Sequence, residues 1–187
     1  MSEPIKMWEH FPEFWKTESA FLSFIRGGVR RHLWSKNPVK LQFMKENRVK
    51  MVNVNPRSMK AHPMVWGFKC NQCQVTFAGN ACEVDHKVGG WSLRKVEDIQ
   101  KFVEGIVFIR KQDLAILCKP CHKAKTYAEA QGLSFEDAVA TKQAIEKNKE
   151  SVKNVVAYLT EHGYNAAKTK EGRRAQLVEH FKQENSK

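Results

Sequence analysis

At 187 residues with 42 % apolar content, the chain has room for one modest domain with appendages, and its size does not favour two full domains. The formal charge of +12, from 32 basic and 20 acidic residues, calls for a partner of opposite sign. No apolar run nears about 18 residues and no signal-type N-terminus opens the chain, which excludes a membrane-spanning helix and points to a soluble, cytoplasmic protein in a reducing compartment.

Residues 1–10 show no clear period. From Phe11 to Trp34, apolar residues recur mostly at three- and four-residue steps, so the spacing predicts an amphipathic helix, interrupted or ended near Gly27-Gly28. Asn37-Pro38 supplies an Asn cap and a proline at the first helical position, with Leu41, Phe43 and Met44 as a short apolar stripe. Val49 to Val54 alternates imperfectly and reads as a strand. Arg57 to Pro63 is a polar, basic connector, and Met64 to Lys69 a second strand.

Val75 to Phe77 and Cys82 to Val88 suggest two short strands around a turn at Gly79-Asn80. Val96, Ile99, Phe102, Val103 and Ile106 fit a helix, and Val107 to Ile109 has the makings of a strand. Cys121 to Gln131 is helical in composition and closed by Gly132. Ser134 with Asp137 forms a capping box, and the apolar spacing from Phe135 to Leu159 predicts one long amphipathic helix that stops before Gly163. A basic linker with Lys168 and Lys170 precedes a short helix bearing Leu177, Val178 and Phe181, and the end from Gln183 is expected to fray.

Four of the five cysteines fall in two Cys-x-x-Cys knuckles, Cys70-Cys73 and Cys118-Cys121, separated by 44 residues. In a reducing compartment such pairs are better suited to metal than to disulfides. Two thiolates from each knuckle would complete the tetrahedral shell of a structural Zn²⁺. Cys82 is left over and reads as a small buried residue. Between the knuckles stands Asp85-His86, and His122 follows the last cysteine.

The order of these residues resembles the zinc-ribbon branch of the HNH nucleases. The family closes a Cys-x-x-Cys knuckle before an Asp-His on one strand, then runs Asn-Leu-x-x-Leu-Cys-x-x-Cys-His-x-x-Lys-Thr into a helix. Here the second segment is Asp113-Leu114-Ala115-Ile116-Leu117-Cys118-Lys119-Pro120-Cys121-His122-Lys123-Ala124-Lys125-Thr126, with Asp113 in the Asn position. The match covers about a third of the chain, and the small basic remainder looks like bacteriophage HNH endonucleases of the homing or free-standing kind. The resemblance implies an α+β fold with a small ββα-metal core and a Cys₄ zinc site, flanked by N- and C-terminal helices. It divides the chain into an N-terminal basic helical DNA-binding region (1–63), the core (64–132) and a C-terminal helical region (133–187).

Hydrolysis of a phosphodiester needs a base for the water, charge neutralisation on the phosphate and stabilisation of the leaving oxygen. A neutral imidazole suits the first demand, and Mg²⁺ or Mn²⁺ suits the other two. On the resemblance, His86 is the general base, while Asp85 and His122 hold the catalytic divalent metal. Taken alone, Asp85-His86 is a turn pair, and His122 is either an exposed helix residue or a zinc ligand competing with Cys121. Asp113 can only accept hydrogen bonds when ionised, so it orients His86 by accepting from its ring, joins the metal shell, or fails as a substitute for Asn.

Between Arg26 and Lys60 ten Lys or Arg face a single acid, Glu46, a local charge of +9. Beside an HNH-like core the expected partner is double-stranded DNA, with Arg26, Arg30, Arg31, Lys40, Lys123 and Lys125 as the contacting residues. Charge alone fits RNA or an anionic membrane surface nearly as well. The tryptophans read as core. A monomer with one such site nicks, and a homodimer can break both strands. The competing expectation is a non-catalytic zinc-ribbon DNA-binding or adaptor protein.

Overall fold

A computed structural model describes residues 4–186. It is mixed helix and sheet, and its contacts group the chain into two compact units, residues 1–117 and 118–187. Among the described residues no helix is long and apolar enough to cross a membrane.

In the first unit a helical turn (α1, Met7–His10) precedes α2 (Glu18–Gly28). The helix expected from Phe11 starts only at Glu18, because Thr17 is its cap and accepts from the backbone N–H of Ala20 at 3.2 Å. Beyond Gly28 the chain continues as a π-helical turn over Val29–Trp34, closed by the Ser35 N–H on the Arg30 carbonyl at 3.1 Å. The interruption foreseen at the glycine pair is therefore a change of winding.

Helix α3 (Pro38–Asn47) begins as its sequence dictates. Asn37 Oδ1 accepts from Val39 and Lys40, while its Nδ2 donates to the carbonyls of Ile106 and Val107 at 3.4 and 3.3 Å. Those carbonyls end α4 (Ile99–Val107), so one buried amide satisfies the start of one helix and the end of another. Lys111 then ties the chain to α3 through Glu46 at 2.6 Å.

Strands β1 (Arg48–Val52), β2 (Met64–Lys69) and β3 (Thr76–Ala78) form an antiparallel sheet in the order β1-β2-β3, with Lys50 opposite Trp66 and Phe68 opposite Phe77. Strand β4 (Cys82–His86) pairs instead with β5 (Leu114–Cys118). The two short strands around Gly79-Asn80 thus belong to different sheets. The residues between them, Gly79–Ala81, form a 3₁₀ turn that passes the chain from one sheet to the other. Val107 to Ile109 is not a strand: α4 ends at Val107, and a 3₁₀ turn over Lys111–Asp113 leads into β5.

Among the described residues, two clusters lie in the core of this unit. Phe68, Val84, Ile109, Leu114 and Ile116 gather Trp34, Val39, Phe43, Met44 and Cys82 around them, and Leu22, Leu93, Phe102 and Ile106 gather Phe21, Ile25, Val29, Val96 and again Trp34. Helices from residues 1–63 and strands from residues 64–117 therefore share one interior, joined at Trp34. Cys82, expected to be buried, is only half-buried at its edge.

In the second unit α5 (Lys119–Gln131) ends at Gly132, whose φ of 63° favours a residue without Cβ. Ser134 caps α6 (Phe135–Lys147) by accepting from Asp137 N–H at 3.0 Å. The long helix expected to reach Leu159 is two helices, because Asn148 ends α6 and Ser151 caps α7 (Val152–Glu161) afresh. Asn148 is buried and donates to the Lys170 carbonyl at 3.1 Å, which anchors the break. Helix α8 (Lys170–Asn185) carries Leu177 into a core with Ala144, Val155 and Leu159. It runs further than the expected fraying point at Gln183.

Candidate metal centre and adjoining cleft

The Sγ atoms of Cys70, Cys73, Cys118 and Cys121 all lie within 4.8 Å of one another. Local structure explains the gathering. After β2 the chain turns sharply, with Cys70 N–H donating to the Val75 carbonyl and Gln74 N–H to the Cys70 carbonyl. Gln74 adopts φ 61°, a left-handed conformation costly for any residue but glycine, and its side chain secures the turn by donating to the Asn71 carbonyl at 2.7 Å. Asn71 then straps this turn to β5: its N–H donates to the Ile116 carbonyl at 2.8 Å and its Oδ1 accepts from Ile116 N–H at 2.6 Å. Cys118 closes β5 and caps α5, whose first turn carries Cys121.

Cys70 and Cys118 are buried, Cys121 is half-buried and Cys73 exposed. None of the four is joined in a disulfide. Four sulfur donors within mutual reach fit one tetrahedral Zn²⁺, a soft-ligand set that Mg²⁺ or Ca²⁺ would not choose.

Asp85 and His86 close β4, and both are half-buried. The His86 ring stacks on Trp34, with centroids 4.8 Å apart and planes 24° from parallel, and its Nε2 is shielded from solvent. The next residue is fixed from across the sheet: Lys87 N–H donates to the backbone carbonyl of Asp113 at 2.8 Å. His86 and Asp113 line a cleft of about 770 Å³, together with Lys87, Trp91, Phe108 and Arg110 among others. Trp91 forms its wall by lying against Gly105, where a Cβ would collide with the indole.

The Asp113 carboxylate faces Arg110. Oδ2 accepts from the Arg110 N–H at 3.1 Å and from Nε at 2.9 Å, and Oδ1 accepts from Nη2 at 3.0 Å. These bonds from Arg110 hold the carboxyl below its usual range. The support that Asp113 lends to the His86 segment therefore comes through its main chain, which any residue type can supply.

His122 lies half-buried in the first turn of α5, directly after Cys121. Lys123 is exposed, and Lys125 pairs with Glu129 at 3.0 Å. Arg30 and Arg31 are exposed on the π-helical turn, with Arg31 Nε donating to the Gly27 carbonyl at 3.3 Å. Arg26 is spent on the fold, since its Nη2 donates to the Leu93 carbonyl at 2.6 Å. Lys40 is half-buried over the Trp34 ring at 4.6 Å, and burial draws it below the usual lysine range while Glu83 pulls the other way.

Two features of this region are not legible in the sequence. Trp34 is the contact surface of His86, and nothing in its local spacing distinguishes it from the other tryptophans. Trp66 is 44 % exposed on β2, with the Arg48 guanidinium and the Lys50 ammonium 4.2 and 4.3 Å from its ring centroid. The register that sets Lys50 opposite Trp66 becomes visible only once the strands are paired.

In comparison with known proteins, no family model, no curated sequence and no solved structure matches the chain.

Proposed function

We propose that the chain is a metal-dependent DNA endonuclease of the HNH type, with a histidine base at the end of β4 and a core braced by a Cys₄ zinc. The observation that carries this reading is the mounting of His86. It ends β4, is clamped by the Trp34 ring and by the Asp113–Lys87 backbone bond, and lines a cleft flanked by Lys87 and Arg110.

In this reading the His86 imidazole takes the proton from the attacking water. The water oxygen forms a bond to phosphorus as the bond to the leaving ester oxygen breaks. Trp34 holds the imidazole plane through this transfer, and the cation of Lys87 draws the phosphate into the cleft. Asp85 and His122 would offer a carboxylate and an imidazole as a partial shell for Mg²⁺ or Mn²⁺, with positions open for phosphate and water. Such a cation, when bound, supplies neutralisation of the phosphate and of the leaving oxygen.

The basic N-terminal region serves duplex binding in this reading, through Arg30, Arg31 and the Arg48–Lys50–Trp66 face. A non-catalytic zinc-ribbon adaptor is favoured by one observation, the commitment of the Asp113 carboxylate to Arg110. Supercoiled plasmid with Mg²⁺ or Mn²⁺ separates the two. Relaxation by wild type and not by His86→Ala supports the nuclease, whereas equal binding without relaxation by either supports the adaptor.

A further inference from the structure

A second group of metal-ligating side chains lies in the helical unit, in residues that the nuclease reading does not use. His162 ends α7, and His180 and Glu184 stand one turn apart on α8. One ring nitrogen of each histidine and a carboxylate oxygen of Glu184 all lie within 4.8 Å of one another. On a tetrahedral zinc, with bonds of about 2.0–2.1 Å, neighbouring donors sit about 3.4 Å apart. Small side-chain rotations therefore bring the three onto one ion.

The hydrogen bonds around the group prepare it for that role. His162 Nδ1 is 2.7 Å from the Tyr158 carbonyl oxygen, which can only accept. This nitrogen therefore donates, and in the neutral ring Nε2 keeps its lone pair. An imidazole whose other nitrogen donates to a backbone carbonyl is the usual state of a metal-ligating histidine, because the bond fixes both tautomer and ring direction.

His180 is 7 % exposed, and its ring meets that of His162 edge to face at 4.4 Å. Its Nε2 is 3.0 Å from the Tyr158 hydroxyl and 3.4 Å from Glu184 Oε2, the latter long for a hydrogen bond. Coordination would replace that long contact. Lys147 lies over the Tyr158 ring at 4.4 Å, and its charge is matched by Glu150 at 3.0 Å.

We propose that His162, His180 and Glu184 bind a divalent transition-metal ion, zinc by preference, with water in the remaining position. Two imidazoles and one carboxylate select zinc over the harder Mg²⁺ and Ca²⁺. The ion staples the end of α7 to α8 and stiffens the C-terminal helices, independently of the cysteine cluster.

The test uses the full chain loaded with Zn²⁺ or Co²⁺, freed of weakly held metal by gel filtration, and analysed for metal per chain. His162→Ala and Glu184→Ala each change an exposed side chain, and far-UV circular dichroism verifies their folding. Each should hold one metal fewer than wild type. In the Co²⁺ forms the sulfur-to-cobalt absorption of the cysteine site should be unchanged. Wild-type metal content in the folded His162→Ala and Glu184→Ala proteins would overturn the proposal.

Discussion

The indole of Trp34 stacks on the imidazole of His86 at 4.8 Å, and the same indole packs in both hydrophobic clusters of the N-terminal unit. The orientation of the candidate base is thereby tied to the integrity of the core. Trp34→Ala should lower stability by roughly 3–5 kcal/mol, as aromatic truncations in cores do. Trp34→Phe keeps a ring under His86 and should fold with a smaller loss. Thermal melts and plasmid relaxation rates on both variants check this. If Trp34→Ala cleaves at the wild-type rate where it remains folded, the stack does not position the base.

The Arg110–Asp113 fork gives a pH expectation with a definite sign. The Asp113 carboxyl is depressed in the folded chain, chiefly by the side-chain bonds from Arg110. An acid depressed by folding stabilises the fold above its unfolded pKa, about 3.9, and that contribution is lost as pH falls through the lower folded value. The turn should therefore be indifferent to pH from neutrality down to about pH 4. In Arg110→Ala the Asp113 titration should return upward to the ordinary range, read from its carboxyl carbon by NMR. An unmoved midpoint would remove Arg110 as the cause.

Because Asp113 supports Lys87 through its carbonyl, Asp113→Asn should cut DNA within a few-fold of wild type. A general base or its direct orienter is worth about 10²–10⁴ in rate. A loss of that size in Asp113→Asn, with the fold intact, would place the carboxylate in the chemistry.

Replacing Cys118 by Ser should release zinc and unfold the centre, since structural zinc in small domains supplies on the order of 10 kcal/mol of folding free energy. Metal analysis and a melting curve are sufficient. Unchanged metal content and melting temperature would mean that the four sulfurs hold no structural ion.

For the duplex interface, Arg48→Ala with Lys50→Ala should reduce the slope of log affinity against log salt by about 2, one for each phosphate that is no longer neutralised. Arg26→Ala should behave differently, lowering stability and leaving the slope nearly unchanged, because its guanidinium is committed to the Leu93 carbonyl. Equal slopes for the double variant and wild type would take β1 out of the interface.

What could be read from the sequence was local. The Asn37-Pro38 start, the Ser134 cap, the Gly132 stop and the two cysteine knuckles each depend on residues within a few positions, and all are found where expected. What could not be read was pairing at a distance. Nothing in Thr76–Ala78 or Cys82–His86 says that one joins β2 and the other β5. The apolar spacing from Phe135 to Leu159 runs in phase across the break at Asn148, so it reads as one helix where the structure has two. The cluster of His162, His180 and Glu184 spans two helices and a connecting loop, and no spacing rule joins its members.

The central claim, that His86 takes the proton from the attacking water, is tested most directly by single-turnover cleavage of plasmid at saturating protein with Mg²⁺. The account predicts that His86→Ala binds DNA and keeps its zinc, yet cuts about 10²–10⁴ times more slowly than wild type, as expected for a lost base. Cleavage by the variant at the wild-type rate, or none by either protein despite binding, would contradict it.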